Sequence, residues 1–279
     1  MLTPWIDHYP PGVPTTVRTD GVASLAALLE QAFREHARRD ALAFLDERLT
    51  YAQVDQLSQA FGAWLQSLGL ERGARVAVMM PNVPQYLVAI AAILRGGYVV
   101  VNVNPLYTAR ELQHQLVDSG AAACVVLENF AATLEEAIDQ TAVKHVVLAS
   151  VGDLVGFWKG ALVNFAIRHV RKQVPEFRLP LDQGRTVTRF AEALAAGERL
   201  SLKRVDVGPD DVAFLQYTGG TTGVSKGAVL LHRNVVANIL QCEAWFKPTL
   251  ETLRPRPLTG VCALLLYYIY QVGFSFWDS

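Results

Sequence analysis

Between Tyr217 and Gly227 the chain reads Tyr-Thr-Gly-Gly-Thr-Thr-Gly-Val-Ser-Lys-Gly. Glycine opens backbone angles that side chains resist, so successive N–H groups can turn toward one anion. The hydroxyls of Thr218, Thr221 and Thr222 can donate to phosphate oxygens or meet Mg²⁺, and Lys226 adds a mobile positive charge. Together these types suit the holding of a polyphosphate that departs during a reaction. Two other phosphate motifs do not fit. Lys226 is flanked by Ser225 and Gly227, so the P-loop pattern Gly-x-x-x-x-Gly-Lys-Ser/Thr fails on both sides. Gly219 and Gly220 are adjacent, which rules out Gly-x-Gly-x-x-Gly. A plain surface hairpin would account for the glycines, but not for three threonines and a lysine in this order.

Such a loop needs rigid stems. Val212 to Gln216 and Ala228 to Leu231 are short apolar runs that predict two buried strands, and His232-Arg233-Asn234 opens a helical pattern. Upstream, strand-like runs at 41–45, 75–80, 98–103, 122–127 and 145–149 alternate with helical patterns at 24–38, 50–68, 84–94, 108–117 and 130–140. Asp46-Glu47-Arg48 reads as a turn. Thr50 with Gln53, and Thr108 with Glu111, carry the capping-box signal, while Gly69 stands where a helix stop belongs. The alternation predicts an α/β fold, a mostly parallel sheet layered with helices on both faces. Thr188 to Ala196 reads as a short helix and Gly197 to Pro209 as a polar connector. This places a boundary between residues 1–205 and 206–279.

The composition narrows the class. The 279 residues are 51% hydrophobic with a formal net charge of −1. That balance supports a large core and argues against nucleic acid as a partner, because phosphate backbones demand a basic footprint. Cys124, Cys242 and Cys262 lack metal spacing and read as free buried thiols of a reducing cytosol. The start of the chain has no basic region followed by an apolar core, so no secretory signal is expected.

The loop, together with Leu49-Thr50-Tyr51, Met80-Pro81-Asn82 and Val101-Asn102-Val103-Asn104-Pro105-Leu106-Tyr107-Thr108, resembles the adenylate-forming (AMP-binding) superfamily, and most nearly the bacterial long-chain fatty-acid–CoA ligases. The resemblance runs to about Phe246 and implies the N-terminal part of an adenylate-forming domain. It implies ATP-dependent activation of a long-chain fatty acid through an acyl-adenylate, with coenzyme A as the acceptor. By the same resemblance Thr218, Gly219, Gly220, Thr221, Thr222, Gly223 and Lys226 hold the β- and γ-phosphates, and Thr218 meets Mg²⁺. The family's catalytic lysine lies beyond this chain. His232 could approach a phosphate or cap the next helix, Asn234 reads as a helix-start residue, and Tyr217 packs against the loop or the nucleotide. The alternatives are a non-catalytic nucleotide-binding remnant and an adenylate-forming enzyme for another carboxylic acid.

Two segments stand apart. In 157–174, Trp158, Leu162, Phe165, Ala166 and His169 share a helical face, and Lys159, Arg168, Arg171 and Lys172 form a basic cluster. This is the pattern either of a helix lying on an anionic membrane or of a packed helix with a solvated basic side. A cytoplasmic protein, peripheral on the inner face of the membrane, is the corresponding expectation. At the other end the family's Leu-Pro-Leu-Tyr-His-Ile is replaced by Leu264-Leu265-Leu266-Tyr267-Tyr268-Ile269, and the family runs well past Ser279. The chain therefore reads as a truncated, inactive form. Residues 258–277 carry no charge until Asp278 and read as either a buried strand region or a membrane segment.

Overall fold

The computed structural model describes residues 5–218, 225–253 and 259–262. Helix α1 (Leu25–Glu35) starts at Ser24, whose side chain accepts the Ala27 N–H. Strands β1 (Asp40–Phe44) and β2 (Glu47–Thr50) form an antiparallel hairpin. Leu45 and Asp46 turn it with φ of 48° and 63°. Glu47 and Arg48, read above as part of the turn, are paired strand residues: two residues in the left-handed region suffice to reverse the chain. The Thr50–Gln53 capping box opens α2 (Tyr51–Ser67), and Gly69, at φ 74°, follows its end.

The main sheet follows: β3 (Arg75–Met79), β4 (Val99–Asn102), β5 (Ala123–Leu127), β6 (His145–Ala149), β7 (Thr186–Arg189), β8 (Val212–Thr218) and β9 (Lys226–Leu231). Their spatial order is β7-β6-β5-β3-β4-β8-β9. All neighbours run parallel except β8 and β9. Between β3 and β4 lies α3 (Pro84–Arg95), buried along its whole length and opened by Pro84. Between β4 and β5 lies α4 (Ala109–Ser119), opened by the Thr108–Glu111 capping box. Helix α5 (Ala131–Ala137) precedes β6, α6 (Phe157–Phe165) continues into a π turn at Ala166–Val170, α7 (Phe190–Gly197) follows β7, and α8 (His232–Leu253) follows β9. The α/β class, with a mostly parallel sheet, is as expected.

Period-2 alternation sorts the strand residues onto two cores. Val76, Val78, Val100 and Val125 face a core shared with α1, α2, α3 and α7. Ala77, Met79, Val101, Cys124 and Val126 face a second core shared with α4 and α5. Both faces are covered, which is why these strands read as continuous apolar runs.

Three expectations change. Thr186–Arg189 is a strand in parallel register with β6, and the helix begins only at Phe190. A β-branched run offered an open sheet edge pairs with it. Strand β9 is not buried: Lys226 to Val229 are exposed on the sheet's last edge. Of the cysteines only Cys124 is buried; Cys242 is partly exposed and Cys262 exposed. Residues 254–258 and 263–279 lie outside the described residues, and with them nearly all of the apolar tail. No helix among the described residues is long and apolar enough to cross a membrane.

Candidate functional site

Parallel strands bring all their carboxyl ends to one edge, where open α/β sheets hold ligands. Strand order reverses between β3 and β5, and β4 and β8 end beside that switch point at the same carboxyl edge. Thr218 ends β8 at this edge, and Lys226 stands opposite it as the first residue of β9. The hairpin therefore opens at this carboxyl edge, with its lysine exposed at the mouth. Gly219, Gly220, Thr221, Thr222 and Gly223 lie outside the described residues.

The two stems of the loop are held by α4. Tyr217 Oη donates to Asp118 Oδ2 at 2.5 Å, and His114 Nε2 donates to the Ser225 carbonyl at 3.1 Å. His114 and Asp118 are four residues apart and share one helix face. Burial, and then the Asp118 carboxylate, push the Tyr217 phenol well above its ordinary range, so it stays a neutral donor. Its ring also lies on Gly227, where a Cβ would meet ring carbons at 3.0 Å. A side chain at 227 would make the ring give by a few tenths of an ångström, so glycine lets the second stem cross it closely. Tyr217 packs against Gly227 of the second stem.

Behind the stems runs a buried polar chain. Tyr86 Oη donates to Asn102 Oδ1 at 2.7 Å, and Asn102 Nδ2 donates to Gln216 Oε1 at 2.9 Å. Gln115 Nε2 donates to the Asn102 backbone carbonyl at 2.8 Å. The chain ties α3, β4, α4 and β8 together at the crevice edge. Sequence reasoning did not assign these roles. The available signal was a polar residue, Asn102 or Gln216, closing an otherwise apolar strand run.

A second charged group lines the same edge farther along the sheet. Glu128, 2% exposed, receives both Arg168 Nε at 3.0 Å and Arg168 Nη2 at 2.6 Å, and Arg189 Nη1 at 2.9 Å. Nearby, burial raises the Asp153 carboxyl to about 6, although its Oδ2 accepts the Ser150 N–H.

His232 does not approach the loop. It is buried where β9 ends beside the start of β8, the opposite edge of the sheet, about 20 Å away by strand rise. Its Nδ1 accepts the Leu25 N–H at 3.1 Å, and burial lowers its pKa to about 4. It is a neutral structural residue tying α8 to α1. Asn234 Oδ1 accepts the Leu231 N–H, the helix-start role expected of it. A cavity of about 530 Å³ lined by Arg72, Tyr98, Asp211 and His232 also lies at that far edge, away from the loop.

The donor set at the hairpin mouth fits a polyphosphate: a backbone stem, a hydroxyl-rich connection in the sequence and an exposed ammonium. Among the described residues no group of three His, Cys, Asp or Glu side chains could hold a metal.

A mostly parallel sheet layered with helices, with a Gly/Thr-rich hairpin at its carboxyl edge, defines an open α/β protein. The chain belongs to the AMP-binding enzyme family, whose model matches residues 29–277. It is similar to the long-chain-fatty-acid–CoA ligase of Escherichia coli O157:H7, 47% identical over 273 residues, which cover 98% of this chain and 47% of that protein. The long-chain-fatty-acid–CoA ligase of Bacillus subtilis (strain 168) is 31% identical over 245 residues, 87% of this chain and 42% of the relative. Among solved structures, a long-chain-fatty-acid-CoA ligase from Archaeoglobus fulgidus superposes with a TM-score of 0.68 at 22% identity, over 96% of this chain and 47% of that one. The chain spans about half the length of the curated relatives it matches.

Proposed function

We propose that this chain is the phosphate-binding half of an ATP-dependent long-chain fatty-acid–CoA ligase. The observation that carries this reading is the hairpin mouth, with Lys226 facing Thr218 over stems fixed by α4, in a chain 47% identical to such a ligase. ATP supplies the activation: the fatty-acid carboxylate attacks its α-phosphate, pyrophosphate leaves, and the thiol of coenzyme A then takes the acyl group from the acyl-adenylate. The chain's own part is to bind the departing phosphates. Thr218, Gly219, Gly220, Thr221, Thr222, Gly223 and Lys226 surround the β- and γ-phosphates, and donors fixed before the reaction stabilise charge as it builds on the leaving group. Thr218 is the proposed Mg²⁺ contact. Residues 1–205 form the first α/β subdomain in this reading, and 206–279 begin the second. The enzyme works in the cytoplasm and meets the inner face of the membrane through residues 157–174.

A chimera tests the proposal. Residues 1–279 replace the matching part of the Escherichia coli O157:H7 relative, and ATP–pyrophosphate exchange is followed with palmitate, 4-coumarate and anthranilate. Exchange driven by palmitate is the expected result. Exchange with only the aromatic acids would move the assignment to another carboxylic acid. A folded chimera that exchanges with none of them, and binds ATP no better than its Lys226→Ala variant, would overturn the reading.

A further inference from the structure

The structure gives the proposed membrane contact a defined surface and divides its charges differently from the sequence pattern. Helix α6 and its π turn hold the molecule by one side. On that side Gly160 lies so close to Gly152 that a Cβ on either would collide with the other's backbone. Asn164 Oδ1 accepts the Gly152 N–H at 2.8 Å, and Arg168 reaches the buried Glu128. Positions 160, 164 and 168 are four apart, the spacing of one helix face.

The opposite side is apolar and bare. Phe157, Trp158, Leu162 and Phe165 are 81%, 84%, 68% and 57% exposed. At 3.6 residues per turn they occupy about 140° of the helix surface. Val170, 70% exposed, adds an apolar side chain at the end of the π turn. An apolar patch this concentrated marks an interaction surface rather than ordinary scatter. Residues 157–174 contain no acidic side chain. Two of their four Lys and Arg residues are nevertheless engaged with the protein. Arg168 is bound to Glu128, and Lys159 to Glu47 and the Leu45 carbonyl. Arg171 and Lys172 are exposed and form no ion pair among the described residues.

We propose that this face is the docking surface for an anionic phospholipid bilayer. Phe157, Trp158, Leu162 and Phe165 enter the headgroup–acyl boundary, and Arg171 and Lys172 meet lipid phosphates. Aromatic residues beside free cations match that boundary, which is apolar on one side and anionic on the other. Pairing with a second copy would set cations of both chains in one interface with no acid from either segment to meet them. The proposal rests on the fatty-acid reading only for the reason a bilayer is the relevant partner. Its further content is that insertion of apolar side chains dominates and that two cations contribute, not four. Arg168 is an anchor to the sheet.

Vesicle flotation of the 279-residue chain tests this, because flotation separates bound protein from aggregate. Vesicles of phosphatidylcholine with phosphatidylserine should carry the wild type up. Trp158→Ser with Phe165→Ser should weaken binding about a hundredfold, from lost apolar burial. Arg171→Ala with Lys172→Ala should weaken it about 25-fold, at about fivefold per charge. Circular dichroism checks that these surface variants keep the fold. No flotation of the wild type would overturn the proposal, as would equal flotation of wild type and the Trp158/Phe165 variant. So would a concentration-dependent dimer, seen by sedimentation, that this variant abolishes without any vesicle binding. Palmitate-driven exchange by the chimera is read separately, so a chain that floats beside an inert chimera sinks only the catalytic reading.

Discussion

Asp153 and His232 are expected to pull stability in opposite directions across the same pH range. Burial, with Glu128 adding repulsion, raises the Asp153 carboxyl from 3.8 to about 6. Burial lowers the His232 imidazole from 6.5 to about 4. For Asp153 the folded state holds its proton more tightly than the unfolded state. Its favourable contribution is complete below about pH 4 and is lost as pH rises through 6. For His232 the folded state resists protonation. Its contribution is complete above about pH 6.5 and is lost as pH falls through 4. Each shift exceeds two units, and one unit corresponds to about 1.4 kcal/mol, so each slope amounts to about 3 kcal/mol. In the wild type the two nearly cancel. Asp153→Asn keeps an oxygen for the Ser150 N–H, bonded at 2.7 Å, and removes the titration. Relative to wild type it should gain about 3 kcal/mol between pH 4 and 6.5. His232→Gln should gain about 3 kcal/mol in the other direction, from pH 6.5 down to 4, on top of a constant packing loss. Urea unfolding in half-unit pH steps measures both difference curves. If both stay flat within about 1 kcal/mol, the burial argument for these two groups is wrong.

Arg168→Ala removes one of the two cations from buried Glu128 and should cost about 3 kcal/mol, lowering Tm by roughly 6–12 °C in a thermal melt. The same variant should expose 157–174 to limited proteolysis, and an unchanged cleavage pattern would show that Arg168 does not anchor α6. Tyr217→Phe loses the bond to Asp118 while keeping the ring on Gly227, at a cost of about 1 kcal/mol. Hydrogen exchange should quicken at β8 and β9 more than elsewhere. Gly160→Val forces α6 off the Gly152 turn, and differential scanning calorimetry should record a loss of several degrees, where an unchanged Tm would refute the close approach. Lys226→Ala should weaken pyrophosphate binding by calorimetry roughly tenfold or more without shifting Tm, since its side chain is exposed.

The local elements were legible because their causes are local. Thr50 with Gln53 and Thr108 with Glu111 named two helix starts through reciprocal side-chain bonds. Apolar runs such as Val76–Met79 announced strands covered on both faces, and the Gly/Thr order around 220 pointed, by resemblance, to a family. Tertiary structure alone decided what depends on distant partners. Thr186–Arg189 became a strand because β6 left an open edge beside it. His232 was removed from the loop stems' open end because β9 runs antiparallel and carries it to the far edge. Asp118 and His114, 99 and 111 residues from the groups they hold, carry no mark in the sequence of their grip on the loop stems. The four cations of 157–174 look alike on a helical wheel. Only the fold, by burying Glu128 beneath Arg168 and bringing Glu47 to Lys159, leaves Arg171 and Lys172 facing out. Short-range propensity is written residue by residue, whereas pairing across the sheet is settled by which surfaces the folded chain brings together.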